Sequence, residues 1–132
     1  MKQLLLSAFI VALSVTAGAQ TRVPTFEEVE KKEQACADTF PDNTVRDCYY
    51  ALAKQYEIIL NDVYKKIMAI ATADEKKWIT EAEKKWIAYK DADIALRNNL
   101  STRHGNTGYR LMELFKERTA YLLRLLEGMN SR

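Results

Sequence analysis

Residues 45–70 read VRDCYYALAKQYEIILNDVYKKIMAI, and the fold turns on them. Val45, Cys48, Leu52, Tyr56, Ile59, Val63, Ile67 and Ile70 follow one another at steps of three and four. That recurrence is one face of an amphipathic helix. Tyr49, Leu60, Tyr64 and Met68 widen it to the breadth of a core face. Asn43 or Thr44 is placed to cap the helix, with Asp47 in its first turn where the helix dipole favours an acid. Ending near Ala71, it spans roughly 40 Å at about 1.5 Å per residue.

The rest of the chain reads as helices too. No Gly or Pro occurs between Pro41 and Gly105, and the run is rich in Ala, Leu, Glu and Lys, all good helix formers. Thr72 or Asp74 can cap a third helix whose inner side is expected to carry Trp78, Ala82, Trp86, Tyr89, Asp93, Leu96 and Leu100. Residues 103–108, RHGNTG, hold two of the four glycines and stop it. A fourth helix puts Leu111, Leu114, Arg118, Leu122 and Leu125 along one face and is expected to end at Gly128. Ahead of all three, Thr25-Phe26-Glu27-Glu28 after Pro24 is a capping box, opening a short first helix to about Asp38. Three long helices on short turns run up, down, up. The expected fold is all-α: a small antiparallel bundle of three long helices, with a short N-terminal helix tied on by one disulfide. The octad beginning Glu75-Lys76-Lys77-Trp78 recurs as Glu83-Lys84-Lys85-Trp86. Eight residues advance a helix by about 80° beyond two turns, so the two Trp are offset, and the repeat reads as local duplication.

Residues 1–19 stand outside this pattern. Lys2 precedes an apolar run, Leu4 to Val15, and then small residues, Ala17-Gly18-Ala19. This is the layout of a secretory signal peptide cleaved after Ala19. The apolar run is too short for the roughly 30 Å of a bilayer core, so no membrane anchor is expected. The folding unit is then a single domain, residues 20–132. Lys2 leaves with the leader, and the formal charge falls from +2 to +1.

Export gives the cysteines their meaning. In an oxidising compartment Cys36 and Cys48 are expected to form a disulfide around the turn-rich segment Phe40-Pro41-Asp42-Asn43. On the chain-entropy account a loop of this size is worth about 3 kcal/mol. One His and two Cys do not furnish a Cys/His zinc site, and no metal or cofactor is expected. Twenty basic against eighteen acidic residues leave no nucleic-acid footprint. Lys76-Lys77 and Lys84-Lys85 flank the Trp residues, but Glu75, Glu81 and Glu83 interleave with them as helix-surface ion pairs. His104 lies in a Gly-containing loop with no serine or thiolate pattern near it. Asp91, Asp93 and Glu113 are scattered helix acids, and no phosphate-cradling Gly loop occurs. The chain therefore reads as a binder and not an enzyme.

Five landmarks, in order, carry a family resemblance. They are Asp47-Cys48-Tyr49, Leu60-Asn61-Asp62-Val63-Tyr64, Lys85-Trp86-Ile87-Ala88-Tyr89-Lys90-Asp91-Ala92, Gly105-Asn106-Thr107, and the helix from Phe115 through Arg118-Thr119 to Leu122. Together they resemble the LprI-type lysozyme-inhibitor family over about residues 36–126. The resemblance implies an exported or periplasmic helical domain and, for some members, inhibition of lysozyme. Many members carry a second cysteine pair; the matching positions here are Ile94 and Arg110, which leaves Cys36–Cys48 as the retained pair. The segment after Thr107 is shorter than usual, and Phe115 stands where Thr is common.

Among the signature residues Tyr64, Trp86, Tyr89, Asp91 and Arg118, the structural reading is favoured. Trp86 and Tyr89 are expected to fill the core between helices, and Asp91 or Asp93 to pair with Arg118. A partner surface is expected at the loop carrying Arg103, His104 and Asn106, and at Tyr109. The resulting function is a periplasmic protein that binds and inhibits a lysozyme-type cell-wall hydrolase. The alternative is an interaction or toxin-neutralising protein with another secreted target, since a fold does not fix a function. The partner is a protein in either case, with no nucleic acid. A near-neutral net charge weighs against the first reading, because an acidic face would speed encounter with a basic lysozyme.

Mass spectrometry of the exported protein, alkylated without reductant, is expected to return residues 20–132 with no alkyl adduct. A mass beginning at Met1, or one carrying two adducts, contradicts the leader or the disulfide respectively.

Overall fold

Helix α1, Phe26–Ala37, opens on the expected capping box. The Glu28 amide donates to the Thr25 hydroxyl at 3.2 Å, and the Thr25 amide donates to the Glu28 carboxylate at 2.8 Å. That backbone bond, helped by Arg22, holds the Glu28 carboxyl down at about 2. The structure is a computed structural model that describes residues 22–38, 42–100 and 107–132. The segment expected to be a signal peptide, Phe40-Pro41, and the expected partner-surface residues Arg103, His104 and Asn106 lie outside the described residues. Within them the chain forms four helices and no strand.

Helix α2, Asp42–Ile70, starts one or two residues ahead of the expected caps, so Asn43 and Thr44 lie in its first turn. The Asp42-Asn43 end of the turn-rich segment is therefore helical. Cys36 and Cys48 form the disulfide, with their Cα atoms 5.8 Å apart, and it ties the end of α1 to the start of α2. α1 runs antiparallel to α2: Phe26 meets Tyr56 with ring centroids 5.3 Å apart, while Cys36 meets Cys48.

Helix α3, Ala73–Asn99, follows after Ala71-Thr72, and Thr72 is its cap, with Glu75 completing a second capping box. Helix α4, Thr107–Asn130, differs from expectation at both ends. Thr107, Gly108 and Tyr109 belong to its first turn and not to the preceding loop. The helix also passes through Gly128 without stopping, and a Cβ there would meet nothing within 4 Å. Leu123, Leu125, Leu126 and Met129 pack against the core around that point, and their burial outweighs the roughly 1 kcal/mol that an interior Gly costs.

The core is chiefly the seam between α2 and α4, which run parallel in space. Leu52, Tyr56, Ile59, Leu60, Val63 and Ile67 are buried on α2; Met112, Phe115, Thr119 and Leu122 are buried on α4. Most of the α2 stripe read from the sequence is this face. On α4 the expected Leu114 and Leu122 are buried and Leu111 and Leu125 partly so, but Met112, Phe115 and Thr119 form the centre of the seam. Thr119 lets the helices approach closely. Its hydroxyl proton is shared between the Phe115 carbonyl at 2.6 Å and the Tyr56 carbonyl of α2 at 3.2 Å.

Met112→Ala should cost about 2–5 kcal/mol, the range for truncating a fully buried large side chain, read as a lower urea midpoint at unchanged slope. A loss below about 1 kcal/mol would mean that the seam is not the stabilising core.

Candidate functional site

Helix α3 packs quite differently from α2. Trp78, Tyr89, Leu96 and Leu100 are all at least half exposed, Trp78 at 69%. The inner side expected for α3 is thus mainly its outer side, and Tyr89 does not fill the core. The 3–4 spacing joined two neighbouring faces. Trp78, Ala82, Tyr89, Leu96 and Leu100 fall within an arc of about 40°, whereas Trp86 lies about 80° and Asp93 about 60° round the helix from Trp78. The side turned inward carries Ile79, Glu83, Trp86, Lys90, Asp93 and Ile94, none of them exposed. The octad offset is visible directly: Trp86 packs against the core while Trp78 is in solvent.

Two arginines of α4, and Arg132 just past its end, meet acids of α3 along this side, in antiparallel order. Arg132 pairs with Glu75, Arg118 with Glu83 and Arg110 with Asp93. The central pair is the most enclosed. Nε and Nη2 of Arg118 both donate to one oxygen of Glu83, at 3.0 and 2.7 Å, and the side chains are only 14% and 10% exposed. The guanidinium also lies over the rings of Trp86 and Tyr121, 5.7 and 5.0 Å from their centroids. Neither Asp91 nor Asp93 therefore partners Arg118. Asp91 pairs with the neighbouring Lys90, and Asp93 accepts from Arg110 at 2.8 Å. Arg110 donates to the Tyr89 hydroxyl at 3.3 Å as well, which gives Tyr89 a surface tie in place of a core role. The acid at Asp93 strengthens the hold on the Arg110 proton and raises its pKa. At the other end the Arg132 contact, with the Thr72 cap behind it, lowers the Glu75 carboxyl to about 2.

The ladder fastens α3 to α4 but leaves it stood off from α2, and a cleft of about 370 Å³ remains between the two. Glu57, Leu60, Asn61 and Tyr64 of α2 form one wall. Thr80, Glu83, Lys84, Trp86, Ile87 and Lys90 of α3 form the other, and Phe115 of α4 contributes from below. Tyr64 reaches across to Thr80, their oxygens 3.5 Å apart. Trp86 and Phe115 meet edge to face at 5.7 Å, with the Lys90 ammonium over the Phe115 ring. Of the signature residues, Tyr64 and Trp86 thus come together here, and Arg118 braces Trp86. Tyr89 and Asp91 stand apart on the outer side of α3.

A second concavity lies on the opposite flank of α4, against α1. Glu30 and Glu33 of α1 face Tyr109, Glu113, Lys116 and Glu117 of α4, with Phe26 and Ala120 between them. Among the described residues of this lining Lys116 is the one cation, and it is engaged by Glu33 at 2.8 Å and Glu30 at 3.3 Å. Tyr56 donates to Glu33 from beneath at 3.3 Å. The field is negative enough to raise the Tyr109 phenol, chiefly through Glu113. Tyr109 is 40% exposed and stands edge to face on Tyr49, with centroids 5.0 Å apart. Of the residues expected at a partner surface, Tyr109 alone lies among the described ones, and it sits on this groove. The groove was missed in the sequence because its acids come from helices 80 residues apart. Among the described residues no three His, Cys, Asp or Glu side chains are grouped to hold a metal ion, and no helix is long and apolar enough to cross a membrane.

Glu83→Gln should cost about 3–5 kcal/mol in urea unfolding, because it leaves the enclosed Arg118 charge without its counterion. Replacing both partners by Leu should recover most of that loss. A cost below about 1 kcal/mol for the single change would mean that water screens the pair as it does on a surface.

Comparison with known proteins places one family on the chain: the family model described as Lysozyme inhibitor LprI matches residues 36–122. No curated protein and no solved structure matches.

Proposed function

The chain belongs to the LprI lysozyme-inhibitor family, whose model spans well over half of it, and from that premise we propose that it is an exported inhibitor of lysozyme-type cell-wall hydrolases. Residues 1–19 direct it to the periplasm or beyond and are removed. It acts by binding a protein and not by catalysis.

The observation that carries the reading further is the α1–α4 groove. Lysozymes are often strongly basic, and a near-neutral inhibitor gains nothing from its overall field. A local excess of acid is enough, since encounter is steered by the facing patches. Among the described lining residues Glu30, Glu33, Glu113 and Glu117 stand against Lys116, and although Arg110 offsets part of Glu113 from outside the lining, acid remains in excess. Tyr109 at the rim adds an aromatic side chain of the type that anchors interfaces. The exposed Trp78–Leu100 stripe of α3 has aromatic and aliphatic groups but a balanced set of charges, so it offers a basic enzyme no electrostatic preference.

The test is lysis of a cell-wall suspension by c-type, g-type and i-type lysozymes with increasing exported protein. Inhibition of at least one class is expected. Glu113→Lys with Glu117→Lys should weaken it at least tenfold, mostly through a slower association rate and a flatter salt dependence. No inhibition of any class at large molar excess rejects the function. Inhibition untouched by the double reversal keeps the function and rejects the groove as its surface.

A further inference from the structure

The α2–α3 cleft has no part in docking at the α1–α4 groove, yet it is a formed concavity with its own chemistry. Its size falls within the range of small-molecule sites. Its existence follows from the way α3 is attached. The two-residue link Ala71-Thr72 and the Tyr64–Thr80 contact hold α2 and α3 together at one end. Farther along, the ladder ties α3 to α4 alone.

Two kinds of group line the opening. Trp86 and Ile87 are apolar, with the buried Leu60 and Phe115 beneath them. Glu57 and Asn61 on the α2 wall are exposed, and their side chains make no hydrogen bond or ion pair to another described residue. A purely apolar guest, such as a leucine of a partner protein, would strip water from Glu57 and Asn61 and return nothing, which is costly. A small, wholly polar guest would leave the aromatic surface wet. A sugar ring meets both demands. Its C–H face covers aromatic carbon, and its hydroxyls both donate to a carboxylate and exchange two-way bonds with an amide.

We propose that the cleft between α2 and α3 is a binding site for a pyranose oligosaccharide, seated against Trp86 and hydrogen-bonded at its edge by Glu57 and Asn61. Thr80 and Lys84 on the facing wall supply further donors. The charge of Lys84 is shared with Glu81, 3.4 Å away, so a neutral sugar is the natural guest and not an anion.

The test uses the protein exported from its full-length gene, with chitotriose, cellotriose and maltotriose as probes, each followed by saturation-transfer NMR and calorimetric titration. At least one sugar should bind saturably. Asn61→Ala and Glu57→Gln should each weaken that binding about tenfold, the upper end of what one hydrogen bond contributes. Both positions are exposed, so an unchanged circular dichroism spectrum is expected for either variant. The Glu113→Lys, Glu117→Lys protein should bind the sugar normally, which separates this site from the enzyme-docking groove. Absence of binding by all three sugars at high millimolar concentration overturns the proposal, as does binding that neither variant weakens. Should Ile87→Arg abolish lysozyme inhibition while the unaltered protein binds no sugar, the guest is an apolar side chain of the enzyme, and the saccharide assignment fails.

Discussion

The carboxylate of Glu83 held against the guanidinium of Arg118 is the contact on which the arrangement of this molecule depends. Once α2 and α4 have closed their seam, most of the apolar surface of both helices is consumed. The flank of α4 that remains presents arginines. A third helix can cover that flank only by bringing acids to it, and α3 does so at Glu75, Glu83 and Asp93. Enclosed pairs of this kind add little net stability over apolar replacements, but breaking one leaves a charge stranded. Their effect is on geometry. A slip of α3 by one turn would carry Glu83 away from Arg118 and leave that guanidinium without a counterion between two rings. The ladder thereby fixes the register and antiparallel sense of α3. Long side chains also hold the helix at a distance, which opens the cleft toward α2 and turns the Trp78–Leu100 stripe outward.

Legibility in the sequence divided along the same line. Wherever apolar burial or local hydrogen bonding decides the outcome, the residues announced it. The Thr25–Glu28 box, the three-four stripe of α2, the Thr72 cap and the Cys36–Cys48 bond all depend on neighbours in sequence or on a strong period. Helix α3 has no such period. Its inward positions are Ile79, Glu83, Trp86, Lys90 and Asp93, a mixture that resembles a solvated face until Arg118 and Arg110 are placed opposite it. Trp78 and Tyr89 then look like core residues by type, yet they are the exposed ones. Thr119 was invisible for a related reason: a hydroxyl at the centre of a seam makes sense only when the Phe115 and Tyr56 carbonyls are beside it. The resemblance had set Ile94 and Arg110 where many relatives carry their second cysteine pair. In this chain Arg110 reaches Asp93, one residue from Ile94, so an ion pair joins α3 to α4 at the place of that covalent bond.

The near-neutral net charge weighs against a basic partner only as a total. It is the sum of regions that differ. Acid collects where α1 lies along α4, basic residues elsewhere balance it, and an approaching protein at ordinary ionic strength senses charges within about 8 Å more than the total. The same helix serves both concavities. Counting about 100° per residue, Tyr109, Glu113, Lys116 and Glu117 cluster on one flank of α4. Met112, Phe115 and Thr119 occupy the middle and Arg118 the other flank, while Arg110 stands between Glu117 and Arg118 with its guanidinium 3.5 Å from Glu113. A protein seated on the acidic flank would therefore leave the α2–α3 cleft uncovered, and a ligand in the cleft would not meet that protein. One parallel pair of helices, closed by apolar packing, thus supports two independent attachments: α1 by a disulfide and the packing of Phe26 and Val29, and α3 chiefly by ion pairs. Each attachment creates its own recess because neither helix is drawn fully into the seam.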